Sequence, residues 1–283
     1  MISVITSSYQ QAHYESLEKN ILETIGASYE LICIDNPGLM GICAAYNKGV
    51  LQAKYDVVCF VHEDVQFHTK NWGKTLLKIL EDDSIGIVGI AGGTYKSRVI
   101  SSAWNNGESY INLLQHTNDG CFHWREPKGI TPELVDVLIV DGVFMALRKK
   151  VCEQCRFDEQ TLKGFHFYDM DICLAAKSRG LRVCVTYDIL LEHFSPGRNT
   201  KTWYREAKIA HRKWRNALPW SLYPIDKSKA VNFEFAAAVF KLSLTFKEPG
   251  YTFPDKVKAI IDMISVMPFE LDTYRIIKQN MFN

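Results

Sequence analysis

Residues 56–64 read DVVCFVHED, and this stretch decides the fold. The run DVVCFV at 56–61 is almost wholly apolar and does not alternate, so it reads as a strand buried on both faces. Strands of that kind lie in sheets covered by helices on either side. Three polar residues, His62, Glu63 and Asp64, follow at once. They stand at the carboxyl end of the strand, where open α/β sheets bind their ligands.

The pattern repeats outward from this centre. Upstream, the β-branched run 2–7 (ISVITS) leads into a helical stretch at about 11–26, ending at Gly26. Then comes 29–35 (YELICID), stopped by Asn36-Pro37-Gly38, and a second helical stretch at about 39–53. Downstream, a helix at about 71–82 carries Leu76, Leu77, Ile79 and Leu80 as a stripe, and 85–91 (IGIVGIA) is closed by Gly92-Gly93. Strands alternating with helices predict an α/β fold with a mostly parallel central sheet and helices on both faces. Residues 93–132 have weak periodicity and many turn formers, and read as a long loop or small excursion near the site. Further strands are expected at 134–140, 143–147 and 181–186, and a helix at 169–180. Beyond about 200 the pattern stays helical. The organisation expected is a domain at 1–200 and a C-terminal helical extension at 201–283.

A chain of 283 residues that is 47% hydrophobic can bury a large core, which excludes disorder as a class. A net charge of +1 demands no nucleic-acid partner. Cys33 and Cys59 sit in apolar runs, as buried free thiols do. Cys152 and Cys155 form a CxxC without a second pair, so a structural role is favoured over zinc or redox chemistry. No leader-like segment precedes the first strand, and the longest apolar candidate, 233–246, is too short to span a bilayer and holds Glu and Lys. A cytoplasmic setting is expected. Residues 200–223 mix Lys, Arg and Trp. They read either as a helix at the inner membrane face or, the favoured reading, as an amphipathic helix that packs its Trp residues on the core.

Four segments carry chemistry. Asp64 is a hard oxygen ligand suited to Mg²⁺ or Mn²⁺, although a solvated strand end explains the triplet as readily. Asp169 and Asp171 open a helix two residues apart, hence on different faces, so only one can face a cleft and act as a general base. His193 is a neutral imidazole that would complete a mixed nitrogen and oxygen site with Asp64, though a lone His is more often structural. Asp141-Gly142, after an apolar strand, is either a simple turn or a group that hydrogen-bonds sugar hydroxyls. No GxxxxGK[ST], no strand-following GxGxxG and no GxSxG occurs, which argues against P-loop kinases, dehydrogenases and α/β-hydrolases.

In this order, over about residues 1–200, the motifs resemble the inverting family-2 glycosyltransferases of the GT-A fold. ISVITSSY is similar to that family's first strand and nucleotide-contacting turn, LICIDN to its second strand, and GICAAYNKGV to its Gly-Ala-Ala-Asn-Gly helix. FVHEDV stands where the family carries Asp-x-Asp, with His62 in place of the first Asp. This H-x-D-V form is similar to one bacterial subgroup. FYDMDICLAAKSRG resembles the Glu-Asp-x-Asp-Leu-x-x-Arg helix, with Tyr168 in place of the usual Glu and Lys177 near the usual Arg. The resemblance implies Ser7, Asp35, Asn47, Glu63 and Asp64 at the donor, and Asp141 and Gly142 at the acceptor. It implies Asp169 as base, and Asp64 and His193 on a divalent metal (Mn²⁺ or Mg²⁺), with His62 a further candidate ligand. It also implies a nucleotide-sugar donor, UDP-linked by preference, and a saccharide or lipid-linked saccharide acceptor. The helix start is expected to lower the pKa of Asp169. Two alternatives stand beside this reading. A sugar nucleotidyltransferase would need a Gly-rich loop with Arg after the first strand, which SSYQQAHYES lacks. A non-catalytic saccharide-binding protein is suggested by His62 and Tyr168.

Overall fold

A computed structural model describes residues 1–283 apart from 103–106, 130–132, 196, 198–199, 249 and 283. Its elements are β1 (Ile2–Ser8), α1 (Gln11–Thr24), β2 (Tyr29–Asp35), α2 (Ile42–Gln52), β3 (Val57–Val61), β4 (Val65–Phe67), α3 (Trp72–Ile79), β5 (Ile85–Gly89), β6 (Ala91–Gly93), β7 (Tyr95–Lys96), β8 (Ser109–Thr117) and β9 (Gly120–Glu126). They continue with β10 (Leu134–Val137), β11 (Ile139–Val140), β12 (Phe144–Arg148), α4 (Lys149–Gln154), α5 (Tyr168–Lys177), β13 (Arg182–Thr186), β14 (Leu191–His193), α6 (Lys201–Trp214), β15 (Trp220–Ser221), α7 (Lys227–Lys247), α8 (Phe253–Val266) and α9 (Leu271–Phe282). Helices α1 and α5 are each followed by a glycine at positive φ, Gly26 and Gly180, which turns the chain in the left-handed region.

Among the described residues the central sheet runs β10-β13-β5-β12-β3-β1-β2. All five residues of β3 are buried, as their apolar run requires. Five strands, β2, β1, β3, β5 and β13, share one direction, as a mostly parallel sheet requires. β10 and β12 run against them, and β12 lies between β3 and β5, so half of the neighbouring pairs are antiparallel. A second sheet, β11-β6-β8-β14-β4 with β9 on β8, grows from the first. One residue, Ile90, separates β5 from β6, and three, His62 to Asp64, separate β3 from β4. The polar triplet therefore occupies the corner at which the chain leaves one sheet for the other. Gly92 makes a second such corner tight, because a Cβ there would lie 2.5 Å from the Ile139 carbonyl oxygen.

Two expectations are corrected. The stretch 93–132 is not a loop where it is described: it contains β7 and the β8–β9 hairpin, while 103–106 and 130–132 lie outside the described residues. The hairpin escaped periodicity because polar residues of β8 face inward. Asn112 is 2% exposed and donates to the carbonyls of Tyr187 and Ile189 at 3.0 and 3.1 Å. Cys33 is exposed, on β2, the edge strand of the central sheet. Cys59, on β3, is buried.

Helix α6 packs into the main core through Trp203, Tyr204, Ala207 and Ala210. Trp214 donates to Asp171 Oδ1 at 2.7 Å. Two Trp residues of 200–223 thus point inward, and the membrane-surface reading loses them as anchors. Helices α7 to α9 close a smaller core around Ala237, Ala238, Leu242, Ala259, Met263 and Ile277. No helix among the described residues is long and apolar enough to cross a membrane.

Arg148, at the end of β12, ties the sheet to the chain beyond α3. Its guanidinium donates to the carbonyls of Leu80, Asp82, Asp83 and Ile85 at 2.7–3.1 Å, and the residue is 9% exposed. Arg148→Ala is expected to lower unfolding free energy in urea by about 3 kcal/mol or more, since several carbonyls lose their donor together. A loss below about 1 kcal/mol would mean that water replaces the guanidinium.

Candidate active site

The three residues of the corner point in different directions, as alternation along a strand end demands. Glu63 is 5% exposed and turns back under β1. It accepts from Ser8 Oγ at 2.5 Å and from the backbone N–H groups of Tyr9 and Gln10 at 3.3 and 3.2 Å, which anchors the turn between β1 and α1. His62 and Asp64 face the other way. Asp64 is held where β14 meets β4: Phe194 N–H donates to its carbonyl at 3.0 Å, and His193 pairs with Val65. This pairing delivers His193 to Asp64 from more than a hundred residues along the chain. Asp64 Oδ2 lies 3.7 Å from His193 Nε2, and Asp64 Oδ1 lies 3.9 Å from His62 Nδ1. One ligand atom from each of His62, Asp64 and His193 falls within 4.8 Å of the others.

The neighbours of these two imidazoles set their tautomers. Gln115 Nε2 donates to the carbonyls of His116 and Ser195, both at 2.8 Å, so its Oε1 is the end that faces His193 Nδ1 at 3.1 Å. Nδ1 must then carry the proton, and the Nε2 lone pair faces Asp64. Tyr168 spends its one proton on the Gly142 carbonyl at 3.0 Å, so His62 Nε2, 2.9 Å from the Tyr168 oxygen, must donate to it. The His62 Nδ1 lone pair is left facing Asp64. Burial, reinforced by His62 nearby, pushes the His193 pKa below the ordinary range and keeps the ring neutral. Two imidazoles and one carboxylate oxygen therefore converge on a common point. Such a set suits a borderline cation such as Mn²⁺ and accepts Mg²⁺ less well.

Asp169 lies in the first turn of α5, after Phe167 at φ 65°. Its Oδ2 accepts from Gly142 N–H at 3.2 Å and its Oδ1 from Met170 N–H at 2.8 Å. The expectation of a lowered pKa is overturned. Burial first, and the negative charge of Asp141 second, raise it to about 7, and the backbone hydrogen bonds offset only part of this. Loss of solvation outweighs the partial positive charge of a helix start. Asp171 goes elsewhere, to Lys213 Nζ at 2.7 Å and to Trp214, and joins α5 to α6. Asp141 accepts from Val143 N–H at 2.8 Å, and its charge is felt by both Asp169 and His193. A Cβ on Gly142 would lie 2.2 Å from the Tyr168 oxygen, so the bond from Tyr168 to the Gly142 carbonyl requires glycine there.

His62, Asp64, Asp141, Gly142, Asp169 and His193 are thus linked through Tyr168 and one another. Ser7, Asp35 and Glu63 stand along the adjoining ends of β1, β2 and β3: Ser7 Oγ accepts from Asn36 at 3.2 Å, and Ser8 pairs with Asp35. Asn47 is buried, and its amide is spent on the Phe157 carbonyl at 2.9 Å. Sequence reasoning missed Gln115 and His166. The latter is partly buried, and burial together with His62 nearby lowers its pKa against the pull of Glu206. Gln115 would have been visible as a site-facing residue had 109–117 been read as a strand.

Residues 3–216 match the sequence profile described as "Glycosyltransferase like family". The streptomycin biosynthesis protein StrF of Streptomyces griseus is 25% identical over 179 residues, which covers 62% of this chain and 60% of StrF. The chain thus spans three fifths of that relative's length. Among solved structures, GalNAc-T7 with UDP, GalNAc and Mn²⁺ superposes with a TM-score of 0.51 at 11% identity, over 84% of this chain and 54% of that one. At such low identity the likeness is one of fold, and the fold is GT-A. The profile match takes in every segment of the site, from β1 to His193, and the chain belongs to the Glycosyltransferase like family.

Proposed function

We propose that the protein transfers a sugar from a nucleoside-diphosphate sugar, UDP-linked by preference, to an acceptor hydroxyl with inversion at the anomeric carbon. The observation that carries this reading is a metal-type donor set, His62, Asp64 and His193, beside a buried carboxyl, Asp169, whose pKa stands at about 7. The two halves suit the two ends of a single displacement. His62, Asp64 and His193 would hold a divalent ion, which would supply neutralisation of the departing diphosphate. Asp169 accepts the acceptor's proton, and at a pKa of about 7 it is a far stronger base than an ordinary carboxylate and is half ionised at neutral pH. Asp141, charged beside it, accepts hydrogen bonds from acceptor hydroxyls. Glu63 holds the turn after β1 in place, which leaves Ser7 and Asp35 to meet the nucleoside. The acceptor is a saccharide, in free or lipid-linked form, as in polysaccharide or glycoconjugate synthesis.

The test is release of nucleoside diphosphate from UDP-, GDP- and dTDP-sugars with Mn²⁺, with Mg²⁺ and with chelator, against a panel of saccharide acceptors. Release is expected with UDP-sugars and Mn²⁺, and chelation is expected to abolish it. Tight nucleotide binding without release under any condition would favour the non-catalytic reading and overturn this one.

A further inference from the structure

β14 carries two ligand-type side chains in succession, Glu192 and His193. Consecutive strand residues point to opposite faces of a sheet. His193 faces the site described above, with Gln115 of β8 as its cross-strand partner. Glu192 therefore faces the other side. So do the residues of matching parity on its neighbours: His116 on β8, Cys121 directly across from His116 on β9, and His68 just beyond β4. Their polar atoms meet. Glu192 Oε1 lies 2.5 Å from His116 Nε2 and 3.7 Å from Cys121 Sγ, while Oε2 lies 2.8 Å from His68 Nε2. One ligand atom from each of His116, Cys121 and Glu192 falls within 4.8 Å of the other two. The His116 ring is held against Phe194, with centroids 4.8 Å apart. Sugar transfer as proposed above uses none of the four.

We propose that His116, Cys121 and Glu192 form a second metal site, for a borderline-soft divalent cation and for zinc above all, with His68 holding the remaining oxygen of Glu192. Thiolate, imidazole and carboxylate together are a zinc donor set, whereas Mg²⁺ and Mn²⁺ favour oxygen-rich sites. Bonds of about 2.0–2.3 Å require that His116 and Glu192 part by less than about 1 Å and that Cys121 Sγ turn to the same point. The Cys121 thiol gives up its proton to the medium on binding. Three strands supply one ligand each, and a solvent molecule completes the tetrahedron on the exposed side of Cys121. His68 is a positioning residue that fixes the carboxylate as outer partners of metal ligands do. The ion ties the β8–β9 hairpin to β14 one residue from His193, and so braces from behind the strand that presents His193.

The sulfur separates the two sites experimentally, because His62, Asp64 and His193 include none. Metal-free protein titrated with Co²⁺ is expected to develop thiolate-to-cobalt charge-transfer absorption, which added Zn²⁺ removes. The band is expected to persist in Cys33→Ser, which lacks the other exposed cysteine, and in Asp64→Ala. It is expected to vanish in Cys121→Ser and His116→Gln. His68→Ala is expected to weaken Zn²⁺ competition by about ten- to a hundredfold. A wild-type protein without the band, a band that survives in Cys121→Ser, or one lost in Asp64→Ala would overturn the proposal. None of these results bears on sugar transfer itself.

Discussion

Asp169→Asn is expected to reduce kcat/KM for transfer by about 10²- to 10⁴-fold, the range of a lost general base, and to make the metal-free protein more stable above neutral pH. Both effects come from one fact. Burial and the charge of Asp141 raise the Asp169 pKa from 3.8 to about 7. A raised folded-state pKa means that the proton on Asp169 stabilises the fold fully below about 3.8, and that this contribution is lost as pH rises through about 7. Ionised Asp169 then costs on the order of 4 kcal/mol at about 1.4 kcal/mol per unit. Asparagine escapes that cost but introduces a smaller one. Gly142 and Met170 both donate N–H to the carboxylate, so one of them would face the amide NH₂, at about 1–3 kcal/mol. The net gain at pH 8 is on the order of 1–3 kcal/mol, shrinking toward pH 4. Urea unfolding of both proteins at pH 5 and pH 8 measures it. Wild-type kcat/KM is also expected to rise with pH around about 7 as the base ionises. His193, pushed below its ordinary range, stays neutral over that window and remains a competent ligand. Full activity in Asp169→Asn, or a variant less stable than wild type at pH 8, would sink the assignment. The opposed signs make the test severe, since a residue there for stability alone would lower both quantities when replaced.

The central sheet was legible because β1, β3, β5 and β13 are largely buried on both faces and read as near-continuous apolar runs, while the edge strand β2 was marked by its apolar centre and the Pro-Gly stop after it. β1, β2, β3, β5 and β13 all stand where those runs predicted them. β8 was illegible for the opposite reason: one of its faces lines the site, so Gln115 is polar where a core-facing residue would be apolar, and the alternation disappears. The direction of Glu63 was legible in principle. Its neighbours His62 and Asp64 share one side, and alternation sends it to the other. The pKa of Asp169 was not legible at all. The sequence places it at a helix start, which argues for a lowered value. Only the packing of α5 against the loop at Asp141 and Gly142 reveals the burial that reverses the sign. The partnership of Gln115 with His193 likewise exists only once β8 and β14 lie side by side.

Asp64→Ala is expected to abolish Mn²⁺ binding at the site and to lower transfer by at least about 10²- to 10³-fold, as when one preorganised stabiliser of developing charge is removed. Asp64 is the only anionic member of its donor set. His62 and His193 bring no negative charge, and two imidazoles alone hold Mn²⁺ poorly. A readout independent of turnover is available. A ligand that binds only the folded state at a hundred times its dissociation constant stabilises it by about 2.7 kcal/mol, so Mn²⁺ should raise the thermal midpoint of wild type and leave that of Asp64→Ala unmoved. The variant should melt near wild type without metal, because among the described residues Asp64 makes no short side-chain ion pair: the nitrogens of His193 and His62 are 3.7 and 3.9 Å away. Gln115→Ala supplies the graded control. It leaves every ligand in place but frees the His193 tautomer, so it should weaken Mn²⁺ by about ten- to a hundredfold and recover its activity when Mn²⁺ is raised. Asp64→Ala should not recover. A variant lacking Asp64 that still binds Mn²⁺ and transfers sugar at wild-type rates would remove the metal from the mechanism and leave Asp169 to act without it.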